Sequence, residues 1–474
     1  MPPEHARAFG GGAAETTLAP LVLVLLVVAG VLLLLLPRKY VVIPFLFLTF
    51  LIPLENSVVL GGAHFFVSRI IILITLARLL FGSKDPDGFL AGGFNSIDRA
   101  YFWCTAFQAC AVIILFRDGG AIVNQFGFLI DSIGGYWILR SLIRTNTDIS
   151  RVLKCLAFVS FVFGVCMVIE QVAFTNLFHY LGGLHMAPEI RDGRIRSQAA
   201  FQHPLLAGTV GGTVLPLFLL LWQNAKARVT AVLGIAGATL MTLTANSSSP
   251  FLAYAAGLLA LCLWPLRGKM RMVRWGLVAA LLGLALVMKA PVWFLIAHID
   301  LTGSSSGYHR AALIDQFVNH LGDWWLVGVK DTGTWGWDLW DAQNEYVNVG
   351  ETGGLAAFIL FIVLLVRCFR SLGSARKAIE GDRDQEWSLW FLGAALFAHL
   401  VAFFGVNYFD QSRVNWFALL AIISAMTGSI LRPDVELKQS PQLVRQEDKP
   451  SSECDREAAY EWWAGPTKYL SESR

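Results

Sequence analysis

Charge is what this chain has least of. Only 15% of its 474 residues are Asp, Glu, Lys or Arg, and 55% are hydrophobic. Soluble domains carry about 25% charged residues, and a soluble chain of this length would need charged surface for two or three domains. That surface is missing. The net charge of +3 supplies no basic face for nucleic acid. Cysteine is also scarce. Cys104, Cys110, Cys155, Cys166, Cys262 and Cys368 fall in apolar runs and Cys454 in the tail, with no CxxC and no Cys/His ligand spacing. Neither a disulfide framework nor a zinc site follows. There is no Walker A sequence, no GxGxxG before a helix and no GxSxG, so nucleotide-driven chemistry is unsupported. No cofactor and no metal are implied.

What is present is oil in blocks. Ala19–Leu36 is almost unbroken, and further blocks lie at about 41–54, 65–81, 100–116, 121–143, 152–172, 204–222, 229–246, 249–266, 275–290, 354–370, 387–405 and 414–431. A helix needs about 20 apolar residues to cross a bilayer. The pattern predicts an all-α polytopic membrane protein with 12–13 transmembrane helices and a large extracytoplasmic loop containing short helices. The first block is too long for a signal peptide and has no small-residue cleavage site. The expected organisation is an N-terminal tail (1–18), a bundle (19–290, with an outer loop at 173–203), a large periplasmic loop (291–351), C-terminal helices (352–431) and a largely disordered cytoplasmic tail (432–474) with an aromatic patch at Tyr460–Trp463. Basic clusters at Arg38/Lys39, Arg78–Lys84, Arg140–Lys154, Lys226/Arg228, Arg267–Arg274 and Arg367–Arg383 mark the cytoplasmic ends of the spans. Segments 173–203 and 291–351 then fall outside.

These two segments break the pattern of short connections, and long loops in compact proteins tend to be functional. In the first, Arg191, Arg194 and Arg196 stand together against the positive-inside trend. They are either solvated, or an anion site, since a guanidinium grips phosphate with a planar fork. Pro204, Ala207, Gly208, Gly211 and Gly212 suit a helix start that packs closely. In the second, Gly307–Leu321 reads as a helix. Arg310 shares a face with Leu313, Ile314 and Phe317 and so points inward, where it needs an anion. His309 and His320 lie on a neighbouring face. Six tryptophans (Trp293, Trp324, Trp325, Trp335, Trp337 and Trp340) lie in this loop, either at headgroup depth or as platforms for sugar rings. Ala342–Gly350 reads as helical, with Gln343, Tyr346, Val347 and Gly350 on one face and Asp341 and Glu345 on another.

Four patches, RIRSQAAFQHPLLAG, TANSSSP, HRAALIDQF…WWLVGVK and DAQNEYVNVGETGGLAAFIL, resemble the O-antigen ligase / O-antigen polymerase family, over roughly residues 60–430. The resemblance implies a bacterial inner-membrane, multi-pass enzyme with its active face in the periplasm, transferring glycans from undecaprenyl diphosphate to lipid A–core, another repeat unit or protein. It implies that Arg310 and Arg196 (or Arg194) match the family's functional arginines. Two departures stand out. Gln343-Asn344 replaces the family's His-Asn, and Ser247-Ser248-Ser249-Pro250 replaces its Ser-Arg. Both fit a divergent polymerase, such as one for an exopolysaccharide, better than a lipid A ligase.

The chemistry expected is metal-independent glycosyl transfer. Arginines neutralise the departing diphosphate, fixed positioning aligns the acceptor hydroxyl, and a base takes its proton. The candidate catalytic residues are Arg310, Asp341, Gln343 and Asn344. Arg191, Arg194, Arg196, His309, His320, Tyr346 and Trp337 are candidates for binding diphosphate and glycan. Gln343 cannot act as a base but can orient a hydroxyl. Asp341 is the first choice of base, ahead of Glu345, His309 and His320. The expected partners are an undecaprenyl-diphosphate-linked oligosaccharide, a glycan or lipid acceptor, membrane lipids and polysaccharide-assembly proteins, with no nucleic acid. A lipid-linked oligosaccharide flippase is the rival class, with Asp131 and Glu170 as its candidate intramembrane charges. A scaffold for an assembly complex is a third.

Overall fold

A computed structural model describes residues 16–60, 63–81, 90–298, 306–336 and 338–432. Trp337, Cys454 and the aromatic patch of the tail lie outside the described residues. Each apolar block forms helix. In chain order the helices are α1 (Pro20–Leu35), α2 (Arg38–Leu51), α3 (Val67–Phe81), α4 (Ser96–Phe116), α5 (Gly119–Leu129), α6 (Gly135–Leu142), α7 (Asn146–Ala173), α8 (Pro204–Trp222), α9 (Arg228–Thr244), α10 (Ser248–Cys262), α11 (Met270–Val287), α12 (Ser306–Asn319), α13 (Leu321–Trp324), α14 (Glu345–Ala378), α15 (Arg383–Ala402) and α16 (Gln411–Leu431). Among the described residues seven helical stretches are long and apolar enough to cross a membrane: α4, α7, α8, Ala225–Thr244, Trp264–Val287, α14 and α16. The chain is therefore compatible with an all-α, multi-pass membrane protein. The other apolar blocks fold as helices that fall short of that length or hydropathy. α1 has 16 residues and α10 has 15, and α2 carries Pro44 inside 14.

Local sequence sets the ends. Asn95 with Asp98, and Thr145 with Asp148, form reciprocal capping boxes that start α4 and α7. The block at 121–143 is not one regular helix. A π turn at Ile130–Gly134 separates α5 from α6, and Asp131 within it forms a two-pronged pair with Arg69 of α3 (3.0 and 2.6 Å). α8 is buried along nearly its whole length. Its glycines let backbones meet: a Cβ on Gly211 would lie 2.7 Å from the Ala238 carbonyl of α9, and one on Gly212 2.7 Å from the Pro250 carbonyl of α10. α11 is the opposite extreme and has no buried residue.

The helix ends distal to the two long loops carry the basic clusters, and carboxylates answer some of them. Arg140 pairs with Asp98 at 3.2 Å with neither exposed, Arg151 with Asp148 at 2.8 Å, and Arg267 and Arg376 with Glu386 at 3.1 and 3.4 Å. At the other end, residues 306–336 and 338–344 form a cap with its own small core of Leu313, Phe317, Trp324, Trp335, Leu339 and Ala342, joined by Val347 of α14. The cap is stitched to α14 where that helix breaks. Gly354 has φ 68°, the Leu355 N–H donates to the Trp325 carbonyl (2.8 Å) and the Val329 N–H to Glu351 (2.8 Å). A side chain at Gly354 would press on the Leu326 carbonyl at 2.6 Å, so the break accepts only glycine.

Candidate functional site

Segment 189–196 is a two-stranded hairpin, β3 (Glu189–Arg191) against β4 (Arg194–Arg196), with Glu189 opposite Arg196 and Arg191 opposite Arg194. (The 57–66 segment forms a separate small hairpin, Ser57–Leu60 with Ala63–Phe66.) Asp192 and Gly193 make its turn, both at positive φ, the geometry that Asp-Gly favours between paired strands. Strand alternation puts Arg194 and Arg196 on one face. Arg196 is buried, while Arg191 and Arg194 are exposed.

The hairpin is held from beneath. The Gln171 side chain of α7 donates to the Ile195 carbonyl (3.3 Å) and the Thr244 carbonyl (2.8 Å), Asn246 donates to Ile195 (2.6 Å), and the Ser197 N–H donates to Thr244 (3.1 Å). Glu170 accepts the Gln198 and Ala199 N–H groups (3.1 and 3.0 Å). Asp410 accepts the Gln202 N–H (3.2 Å) and the Ser412 N–H at the start of α16 (3.1 Å). Burial lifts the Asp410 carboxyl to about 7 against these N–H donors. Four non-glycine residues in this surround, Asp192, Ala199, Asn246 and Asp410, sit at positive φ. Each such residue costs about 1–3 kcal/mol, and such strain clusters at functional sites.

These supports bring two distant stretches of chain to one narrow, open cleft of ≈ 40 Å³. Arg191, Arg194 and Arg196 line it from the hairpin, Arg310 from α12, and Gln343 from the turn before α14. His203, Asn246 and Ser247 complete its polar wall. Arg196 is 4% exposed and so is Arg310. Arg196 Nη1 donates to Glu189 Oε1 (2.6 Å), and Arg196 Nε is a buried donor with no partner among the described residues. Burial draws the Arg196 guanidinium below its usual pKa, with Glu189 opposing. His203 Nδ1 accepts the Leu205 N–H (3.1 Å) at the start of α8, which leaves the ring proton on Nε2, 3.5 Å from Glu189 Oε2. Burial lowers the His203 pKa and Glu189 opposes the shift. Among the described residues four guanidinium groups line the cleft with Asp192 as its carboxylate, Glu189 being paired with Arg196 beside it, and the arrangement suits a multiply charged anion.

The remaining candidates fall elsewhere. Asp341 accepts from the Gln343 side chain (3.0 Å) and stands close enough for its charge to act on His203, one step behind the cleft wall. Asn344 is fully buried. Its Oδ1 accepts the Val347 N–H (3.2 Å) and its Nδ2 donates to the Phe404 carbonyl (3.4 Å), so it caps α14. That cap corrects the expected helix start from Ala342 to Glu345 and takes Gln343 off the helix. Tyr346 packs against Phe361, Phe403 and Phe404 and donates to the Leu400 carbonyl (3.1 Å). His309 donates to the Asp338 carbonyl (2.7 Å). His320 donates to the Gln316 carbonyl (3.0 Å) and stacks on Trp335. None of these four lines the cleft. The tryptophans divide: Trp324 and Trp335 are buried in the cap core, whereas Trp325 and Trp340 are about half exposed.

Glu189 and His203 are the participants that residue patterns alone had not marked. The RDGR turn flanked by alternating residues was the available signal, because it forces Glu189 opposite Arg196. No family model matches the chain, and a search of curated proteins returns no match.

Proposed function

We propose that the protein is a bacterial inner-membrane glycosyltransferase that transfers or polymerises an undecaprenyl-diphosphate-linked oligosaccharide at the periplasmic face, of the O-antigen polymerase kind. The remaining apolar helices then act as further spans, 12–13 in all. One observation carries the reading: guanidinium groups from segment 173–203 and from α12 line a single cleft. Four guanidinium groups around one cleft, with an Arg196 N–H that has no partner among the described residues, are what a departing diphosphate requires.

In this reading Arg196 and Arg310 hold the diphosphate and Arg191 and Arg194 draw it in. The acceptor hydroxyl attacks the anomeric carbon. The bond from that carbon to the phosphate oxygen breaks, and the electron pair leaves with the diphosphate. Gln343 orients the hydroxyl, and Asp341, hydrogen-bonded to Gln343 behind the cleft wall, takes its proton through one intervening water. Transfer to lipid A–core is the alternative within the class. Gln343 at the cleft wall favours the polymerase form, since the ligase form carries histidine there. The flippase reading is weakened because both of its candidate charges have structural work. Asp131 is paired with Arg69, and Glu170 holds the 198–199 turn.

The test is the lipid-linked intermediate in cells lacking the protein. Single repeat units on undecaprenyl diphosphate support the polymerase, and completed chains point to a ligase. Material trapped on the inner leaflet contradicts both.

A further inference from the structure

A second cavity, of ≈ 230 Å³, lies among α4, α5, α14 and α16. A single water needs only about 10–15 Å³ by this measure, so the space is ligand-sized. Its polar lining includes Gln108, Asn124, Gln125, Glu345, Asn348 and Arg413, with several hydroxyl side chains beside them. Its apolar walls are largely aromatic, including Phe128, Phe361, Trp416 and Phe417. Polar side chains gathered within apolar helices are expensive, and mark a pathway or a binding site.

The cavity is close to the arginine cleft but divided from it. The partition is the connection between α15 and α16. On one side Gly405 abuts the cleft: a Cβ there would lie 3.4 Å from Arg310 Nε, and Ser249 Oγ leaves it no room. On the other side Phe403 and Tyr408 line the cavity. The Glu345 N–H donates to the Phe403 carbonyl (2.8 Å), and the Glu345 carboxylate accepts the Tyr408 N–H (2.7 Å). Gln343 faces the cleft, while Glu345, two residues on, faces the cavity.

The chemistry of the two sites differs. The cleft carries an excess of positive charge. In the cavity one carboxylate and one guanidinium offset each other, and the rest of the polar lining is neutral, four side-chain amides among hydroxyl groups. Each amide has two donors and an acceptor. Gln125 donates once to Asn124 Oδ1 (3.0 Å) and Gln108 once to Thr352 Oγ1 (3.2 Å), which leaves capacity toward a ligand. An acyl chain would strand these groups unpaired. A ring bearing many hydroxyls satisfies them, and its apolar faces suit the aromatic walls. We infer that this cavity binds a neutral sugar ring of the acceptor, a ring other than the one whose hydroxyl reacts in the neighbouring diphosphate cleft. The identity of the ring as acceptor rests on the glycosyl-transfer reading.

The test uses the full chain in lipid nanodiscs and octyl β-glucoside with a photoreactive diazirine in its alkyl chain. The expected result is labelling of peptides around Val112 and Phe361, suppressed by unlabelled octyl β-glucoside but not by octanol or inorganic diphosphate. Suppression by methyl β-glucoside as well identifies a free glycan end as sufficient; suppression by octyl β-glucoside alone identifies a glycolipid. The paired change Gln125→Leu and Asn348→Leu should weaken labelling about tenfold, as expected for two lost hydrogen bonds. Asn124→Ala, at an exposed position, should weaken it too, and a melting temperature measured in parallel separates that effect from the loss of the Gln125 hydrogen bond. Arg310→Ala should leave it unchanged. Competition by octanol or diphosphate, or native-level labelling in Asn124→Ala and the double variant alike, overturns the inference. Failure of the native protein to bind undecaprenyl diphosphate would instead sink the transfer reading and leave the labelling result standing.

Discussion

Replacing Arg310 by alanine isolates the contribution of the second loop. The guanidinium is 4% exposed, so salt screens it weakly. A hydrogen bond to a charged group is worth about 1.5–3 kcal/mol, and about 1.4 kcal/mol is tenfold. One such bond to the diphosphate therefore predicts a loss of roughly 10- to 150-fold in affinity for undecaprenyl diphosphate and in transfer rate. Arg310→Lys keeps the charge but not the fork, and should fall between. Arg191→Ala removes a guanidinium 46% exposed and should cost about 1 kcal/mol or less, and less again in high salt. The assay is transfer from the lipid-linked donor isolated from cells lacking the protein, with undecaprenyl diphosphate binding measured in parallel on nanodisc-embedded protein. An Arg310→Ala protein within about threefold of native, or an Arg191→Ala protein equally impaired, refutes the reasoning.

Three further changes test the supports of the site. Gly405→Ala presses a methyl onto Ser249 Oγ and should lower stability by about 1–3 kcal/mol; adding Ser249→Gly should restore the melting temperature, and no rescue would place the damage elsewhere. Asn344→Ala removes a helix cap and should cost about 1 kcal/mol in unfolding experiments, with diphosphate affinity kept; a large loss of transfer at native stability would make Asn344 catalytic instead. Asp410 is lifted from 3.8 to about 7 by burial. A carboxyl raised in the fold favours folding when protonated, so its contribution is complete below about pH 4 and is lost as pH rises through about 7. The pH profile of thermal stability should therefore be flatter in Asp410→Asn than in the native chain, and superimposable profiles would contradict the assignment.

The apolar blocks located the helices because hydrophobic run length is set by burial in protein or lipid, and that property is written residue by residue. The inward face of α12 was equally legible: Arg310 three and four residues before Leu313 and Ile314 can only turn toward the body. The partners of the arginines were not legible, because Glu189 and His203 reach the cleft through a β-turn and a helix cap, whose geometry hydropathy does not carry. The division among the tryptophans was not legible for another reason. Composition offers them either as headgroup-depth rings or as sugar platforms, and whether a ring is buried depends on the cap that forms around Trp324 and Trp335. The start of α14 slipped by three residues because Asn344 reads as a member of a motif, whereas its side chain closes the first turn of the helix.

The central claim is that arginines from two separated loops hold one diphosphate. A cryo-electron microscopy structure of the full chain in nanodiscs with undecaprenyl diphosphate tests it most directly. The account predicts phosphoryl oxygens about 3 Å from guanidinium nitrogens of both Arg196 and Arg310, with Arg196 Nε among the donors. Diphosphate bound away from either residue, or arginines of the two loops parted by bulk solvent, would contradict it.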